Sequence, residues 1–281
     1  MTAELWLLAI ALVAAAVNGG LGYGFSSITL PVALLFRTSR VLNPALVLVE
    51  VLLNSTSLWA NRRSLKAVFG RVRPMMLGAI PGAVLGSLVL AWANPGWLKL
   101  VTFAALLPFI LLQTAGLRRP LRNERRVALP AGAGLGLLYG ATTISGPPLA
   151  LLFNNQGLSR DEFRAALSLF RTAESCCTAA AYLLLGLISA ESGRLTLVLL
   201  PAVLAGFPIG FLLLRLLPAE SFRRACMATD GLLVGFGLAH SLIEQNLASP
   251  AVAWAGLAVL ICVEAVLLGV HFKTAPAVEH A

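Results

Sequence analysis

The sequence predicts an all-α polytopic membrane protein. Its expected plan is two inverted-topology repeats, each a broken-helix hairpin plus three transmembrane helices, with one extra C-terminal helix. Three observations point there. Hydrophobic residues make up 58% of the 281 positions and charged residues only 12%, whereas a soluble domain carries about 25% charge. Apolar runs long enough to cross a ~30 Å hydrocarbon core recur along the chain. Lys and Arg gather in alternate short loops between those runs.

Single spans are expected at about 42–60, 71–93, 97–117, 163–188, 194–217, 222–244 and 250–272. Residues 5–36 and 127–155 behave differently. Each holds an apolar run, a Gly/Ser/Thr/Pro-rich break and a second, shorter run. The breaks are Gly19 to Ser27 and Gly140 to Pro148. The trailing arms, about 28–36 and 148–155, are too short to cross the core. Both regions therefore read as helical hairpins with an unwound turn at membrane depth, where irregular backbone must be buried in protein or line an aqueous cavity. The run Glu4 to Gly20 resembles a signal peptide, but it lacks a basic leader and more spans follow, so it reads as mature structure. The whole chain, 1–281, is expected to be one transmembrane domain. Repeat one covers 5–117, a linker 118–126, repeat two 127–244, and the extra helix 250–272.

The net charge of +9 invites a nucleic-acid partner, but no basic stripe interleaves with aromatics, so none is expected. The charge instead fixes orientation. With the Arg118–Arg126 loop in the cytoplasm, tracing outward puts sixteen basic residues on that side. Only Arg37, Arg40, Lys99 and Arg194 fall on the other, with Arg171 inside a span. The N-terminus is then periplasmic and the C-terminus cytoplasmic. Cys176, Cys177, Cys226 and Cys262 fit no zinc or redox spacing and read as buried small hydrophobes. His240, His271 and His280 are scattered. No cofactor or metal is expected.

The third span of each half carries a similar small-residue pattern, with Gly82 and Gly86 matching Gly206 and Gly210. Residues of that size four apart let helices approach closely. Because the first half starts outside and the second inside, the halves are inverted, the plan of secondary transporters with a midplane site. Both trailing arms then begin near the midplane and aim their N-termini at it. Helix N-termini carry partial positive charge and unpaired N–H groups, so together they suit an anion. Ser26 and Ser27 suit N-caps of the first arm, and Ser145 with Pro147 suits cap and first turn of the second. Gly22, Gly24 and Gly146 let backbone approach a ligand.

These breaks also carry a family resemblance. Gly22-Tyr23-Gly24-Phe25-Ser26-Ser27-Ile28-Thr29-Leu30-Pro31 resembles the Gly-rich first-repeat motif of the TauE/SafE, or sulfite exporter, family. Thr142-Thr143-Ile144-Ser145-Gly146-Pro147-Pro148-Leu149, followed by Gly157 and Asp161-Glu162-Phe163-Arg164-Ala165, resembles its second signature. The chain departs from the pattern at Phe25 and Ser26, where glycines are common, and at Thr142-Thr143, where small residues are. The resemblance runs through Leu242. It implies outward transport of sulfite, sulfonates such as sulfoacetate, or other organosulfur anions across the bacterial inner membrane.

Ionisable residues inside spans are costly and default to function. Arg171 and Glu174 lie three apart on one helix, and Glu50 and Asn54 four apart on the equivalent span of the first half. A guanidinium fork matches a sulfonate or sulfite, which makes Arg171 a candidate ligand. Glu50 or Glu174 could carry a coupled proton. The alternative is an internal ion pair of Arg171 with Glu174 or Glu50 that braces the bundle. Asp230, His240 and Glu264 are weaker candidates, and Gln113 and Asn18 suit interhelical hydrogen bonds. The substrate-site candidates are thus Gly22, Gly24, Ser26, Ser27, Thr142, Thr143, Ser145, Gly146 and Arg171. An anion channel, or an importer of another small anion, is the alternative function. An intramembrane enzyme is discounted, since it needs a metal cluster, a Ser/His pair or paired aspartates.

Overall fold

Each expected apolar run folds as a helix. The computed structural model describes residues 2–34, 36–115, 124–154, 156–216 and 219–274. In chain order the helices are α1 (Thr2–Leu21), α2 (Phe25–Ala33), α3 (Ser39–Ala60), α4 (Leu65–Trp92), α5 (Pro95–Thr114), α6 (Glu124–Thr142), α7 (Gly146–Asn154), α8 (Arg160–Leu184), α9 (Ala190–Leu216), α10 (Ala219–Glu244) and α11 (Pro250–Thr274). A single 3₁₀ turn, Arg62–Ser64, leads into α4. No strand occurs among the described residues. Of the expected 118–126 linker, residues 118–123 lie outside the described residues, and Glu124 to Arg126 already belong to α6.

Among the described residues, seven segments are long and apolar enough to cross a membrane: α1, α3, the stretch Arg62–Trp92, α5, most of α9, α10 from Cys226, and α11 to Gly269. The expected span 163–188 is the exception. It forms α8, but its charged residues keep it out of that group. The reason is burial: Arg171 and Glu174 of α8 are 2% and 0% exposed, so this helix turns its polar face into the protein. Ser159 starts it with a capping box, Glu162 accepting from the Ser159 amide at 2.9 Å and donating its own amide to the Ser159 hydroxyl at 3.4 Å. These bonds hold the Glu162 carboxyl below its usual range.

The exterior confirms a lipid-facing body. Large apolar side chains such as Leu184, Leu197, Val252, Val259 and Val266 are exposed, as are Trp6, Trp92 and Trp97. Buried positions include Glu50, Asn54, Arg171, Glu174 and Asp230. A soluble protein shows the reverse, whereas a membrane protein turns polar groups inward and puts Trp at the interfaces. This also corrects one expectation about cysteine. Cys226 is buried, but Cys176 and Cys262 are exposed, because in a lipid-surrounded bundle an apolar side chain gains little by facing inward.

Close helix contact rests on the small residues, as their spacing foretold. α4 runs along α6, and α9 along α1. A Cβ at Gly82 or Gly86 would meet the carbonyls of Ala133 or Leu137 on α6, and one at Gly206 or Gly210 those of Leu12 or Ala16 on α1. Gly132, Gly136 and Gly140 return the contact against Met75, Ala79 and Ala83. Gly134, on the same α6, has nothing within 4 Å of a would-be Cβ. Gly134→Ala is therefore expected to be neutral, or to stabilise by up to about 1 kcal/mol through helix propensity. Gly136→Ala is expected to cost about 1–3 kcal/mol by overpacking. Melting curves of the two variants in one detergent compare them, and equal shifts would deny the α4–α6 contact its role.

The loops sort to two ends. Glu4, Arg37, Glu191 and Arg194 line one cavity. Arg37 pairs with Glu191 at 2.8 Å, Arg40 reaches the Ala91 carbonyl at 2.9 Å, and Lys99 pairs with Glu244 at 2.9 Å. At the other end, Asn61, Arg63, Ser64, Arg160, Arg164 and Phe211 line a cavity of about 540 Å³. Arg224 donates to the Thr114 carbonyl at 3.2 Å there.

Candidate functional site

Two interruptions build the site. Between α1 and α2 the chain passes through Gly22 at φ 85° and Gly24 at φ 109°, conformations that glycine adopts without steric cost. Between α6 and α7 the equivalent position is Thr143 at φ 61°, a rare state for a β-branched residue and the kind of backbone strain that clusters at functional sites. The arms start earlier than expected, at Phe25 and Gly146, and both are nine residues long. Ser145 stands immediately before α7, as anticipated. Ser26 and Ser27 do not cap α2: Gly24 occupies the N-cap, because its left-handed backbone turns the chain there.

The two breaks touch. A Cβ at Gly146 would lie 3.1 Å from the Tyr23 Cβ and 2.8 Å from Nη1 of Arg171. Gln113 of α5 ties them further, accepting from the Tyr23 hydroxyl at 3.1 Å and donating to the Pro147 carbonyl. Asn18, the other expected hydrogen-bonding residue, is buried with neither side-chain atom partnered.

Beside the breaks lies a buried charged group. Arg171 donates through Nη2 to Glu50 Oε1 at 2.7 Å and through Nε to Asn54 Oδ1 at 3.4 Å. Of the two partners the sequence allowed, the structure selects Glu50. Ser26 donates to the same Glu50 oxygen at 2.8 Å, and Tyr139 to the other at 2.6 Å. Glu174 receives the Ser145 hydroxyl at 2.5 Å on Oε2, and its Oε1 has no hydrogen-bond partner. Each arm thus offers a serine to the carboxylate of the helix that follows it. Such a pair in low dielectric holds only with good geometry and extra hydrogen bonds, and Glu50 has both.

The remaining candidates sit in the breaks but face elsewhere. Gly22 opens toward Leu167, and a Cβ at Gly24 would lie 3.0 Å from Val17 of α1. The Thr142 hydroxyl donates to the Leu138 carbonyl and Thr143 to that of Thr142, each at 2.6 Å. Ser27 donates to the Gly24 carbonyl at 3.3 Å. So Ser26, Glu50, Ser145, Gly146, Arg171 and Glu174 come together, while Gly22, Gly24, Ser27, Thr142 and Thr143 shape the turns.

Two contributors were not among the site candidates, although Arg164 stands in the second signature. Tyr139 is buried in the last turn of α6, immediately before the second break, and a Tyr inside an apolar run needs a partner for its hydroxyl. That was its only signal. Arg164 donates to the Gly20 and Gly19 carbonyls at 2.9 and 3.1 Å. It satisfies the exposed carbonyls at the C-terminus of α1, where a cation also complements the helix dipole.

A multi-pass helical membrane protein with two broken helices meeting at buried charge is the class these features define. Residues 7–238 match the family described as Sulfite exporter TauE/SafE. The chain belongs to that family, which implies a membrane transporter of sulfur anions. No curated protein and no solved structure matches the chain.

Proposed function

We propose that this chain is a secondary transporter that moves sulfite, a sulfonate or a related organosulfur anion outward across the bacterial inner membrane. The observation that carries the reading is the position of Arg171. Its Nη2 and Nε are taken by Glu50 and Asn54, while Nη1 is directed at Gly146, the first residue of α7. An SO₃ group placed there meets a guanidinium N–H and the first-turn amides of a broken helix, both suited to an oxyanion. Of the two acids, Glu50 is held by Arg171, Ser26 and Tyr139, whereas Glu174 keeps one oxygen unpartnered. Glu174 is therefore the better placed to exchange a proton as the anion binds.

Inverted repeats would supply alternating access. What supports them is the exchange of contacts between halves. α4 packs on α6 as α9 does on α1, and α4 meets α8 as α9 meets α3. α2 meets α10 as α7 meets α5. Glu4 of α1 lies in the Arg37 cavity. The parallel contact of α6 with α4 puts the start of α6 near the opposite end. The positive-inside rule makes the Arg164 end cytoplasmic. A cysteine introduced at Asn123 should then resist impermeant reagents in intact cells, and ready labelling would reverse the tracing.

Thermal melts of purified protein with sulfite, thiosulfate, sulfoacetate, taurine and sulfate test the substrate class. At a concentration 100-fold above Kd, a bound anion adds about 2.7 kcal/mol. At least one sulfur anion is expected to raise Tm, and no shift with any of them counts against the reading.

A further inference from the structure

A second group of buried acids lies apart from Arg171. Asp230 of α10 is 0% exposed and Glu264 of α11 is 2% exposed. None of their four carboxylate oxygens has a hydrogen-bond partner. The two are neighbours: a Cβ at Gly231, next to Asp230, would run into Glu264 Oε1, and the charge of Glu264 acts on Asp230. Ser27 of α2 faces Asp230, and its hydroxyl also reaches the Gly24 carbonyl at 3.3 Å.

Among the described residues, no cation balances the pair. α10 packs on α2, α5 and α11. α2 carries no charged residue, and on α5 the neighbour is Ile110. Lys99 of α5 is engaged with Glu244 at one end, and Arg224 of α10 with the Thr114 carbonyl at the other. Cys226, four residues before Asp230, is the remaining titratable neighbour. Among the described residues, no third His, Cys, Asp or Glu joins them into a metal-binding group. Two bare carboxylates inside a membrane protein without a counter-charge carry a desolvation penalty that their surroundings do not offset. A proton taken up by the pair removes most of that cost.

We propose that Asp230 and Glu264 form a proton-binding pair, separate from the Arg171 centre, that couples anion movement to the pH gradient. The link is α2. Ser26 of this arm holds Glu50 of the anion site, and the next residue, Ser27, faces Asp230. Loading or emptying the pair changes the charge felt by the same nine-residue arm whose Ser26 holds Glu50, the partner of Arg171. Glu264 lies beyond the residues matched to the family, so α11 contributes a working residue and is more than a lipid-facing addition.

The inference rests on the transporter reading, and the test separates the two. Infrared spectra of the wild type in lipid at neutral pH should show a protonated-carboxyl stretch that loses intensity in both Asp230→Asn and Glu264→Gln. This readout needs no substrate. In proteoliposomes, a pH gradient should drive sulfite accumulation in the wild type. Either variant should weaken that drive, leaving the proton carried at Glu174, and keep sulfite exchange. Glu264→Gln carries the test alone if the α10 change prevents folding. An unchanged carboxyl band in both variants overturns the pair, as does pH-driven accumulation at wild-type level or accumulation driven by sodium alone. Wild-type vesicles without sulfite exchange would count against sulfite as substrate, while the band would still decide the pair.

Discussion

Arg171→Gln is expected to lower stability by about 3–5 kcal/mol, the usual cost of removing one member of a buried pair. The structure says where the cost falls. Glu50 is 0% exposed and loses the Arg171 guanidinium, keeping the Ser26 and Tyr139 hydroxyls. Adding Glu50→Gln should recover most of the loss, because the uncompensated charge is gone. Adding Glu174→Gln should not, since Glu174 is held by Ser145 rather than by Arg171. Binding separates brace from ligand. Arg171→Lys should fold, because an ammonium still pairs with Glu50, yet bind the anion more weakly for want of the planar fork. The Arg171→Gln/Glu50→Gln protein should be stable and fail to bind. Unchanged affinity in that double variant would leave Arg171 as a brace only.

Gly146→Leu is expected to abolish the anion-induced rise in Tm while leaving a folded protein. Even a Cβ there would lie 2.8 Å from Arg171 Nη1 and 3.1 Å from Tyr23 Cβ, so a longer side chain fills the approach to both. One charge-assisted hydrogen bond is worth about 1.5–3 kcal/mol, so losing the guanidinium contact alone weakens Kd roughly 10- to 150-fold. Gly146→Ala should fall between the two. Gly24→Leu is a poorer probe than the sequence suggested, because Gly24 needs its positive φ and faces Val17 rather than Arg171. Wild-type affinity in Gly146→Leu would remove the second break from the site.

Much of the fold was legible, because a Gly/Ser/Thr/Pro cluster inside an apolar run has few explanations at membrane depth. Both hairpins were therefore found. Their arm starts were missed by two or three residues, since whether Gly24 or Ser26 caps α2 depends on φ values that composition does not set. The small-residue stripes on α4 and α9 were readable as contact surfaces, though their partners α6 and α1 were not. Arg171 shows the limit most clearly. Helical spacing offers Glu174 on the same face, but the partner is Glu50, 121 residues away on α3. Spacing sees only its own helix, whereas pairing across halves is a product of the tertiary fold. The polar α8 follows the same logic: hydropathy reports how a helix meets lipid, and α8 turns its charges inward.

Counterflow in proteoliposomes tests the central claim most directly. Vesicles holding unlabelled sulfite, with wild-type protein inserted, should take up labelled sulfite transiently above equilibrium. That flux should saturate with sulfite and disappear in Gly146→Leu. Uptake that never exceeds equilibrium and rises linearly with concentration would describe a channel and contradict the account, as would full counterflow in Gly146→Leu.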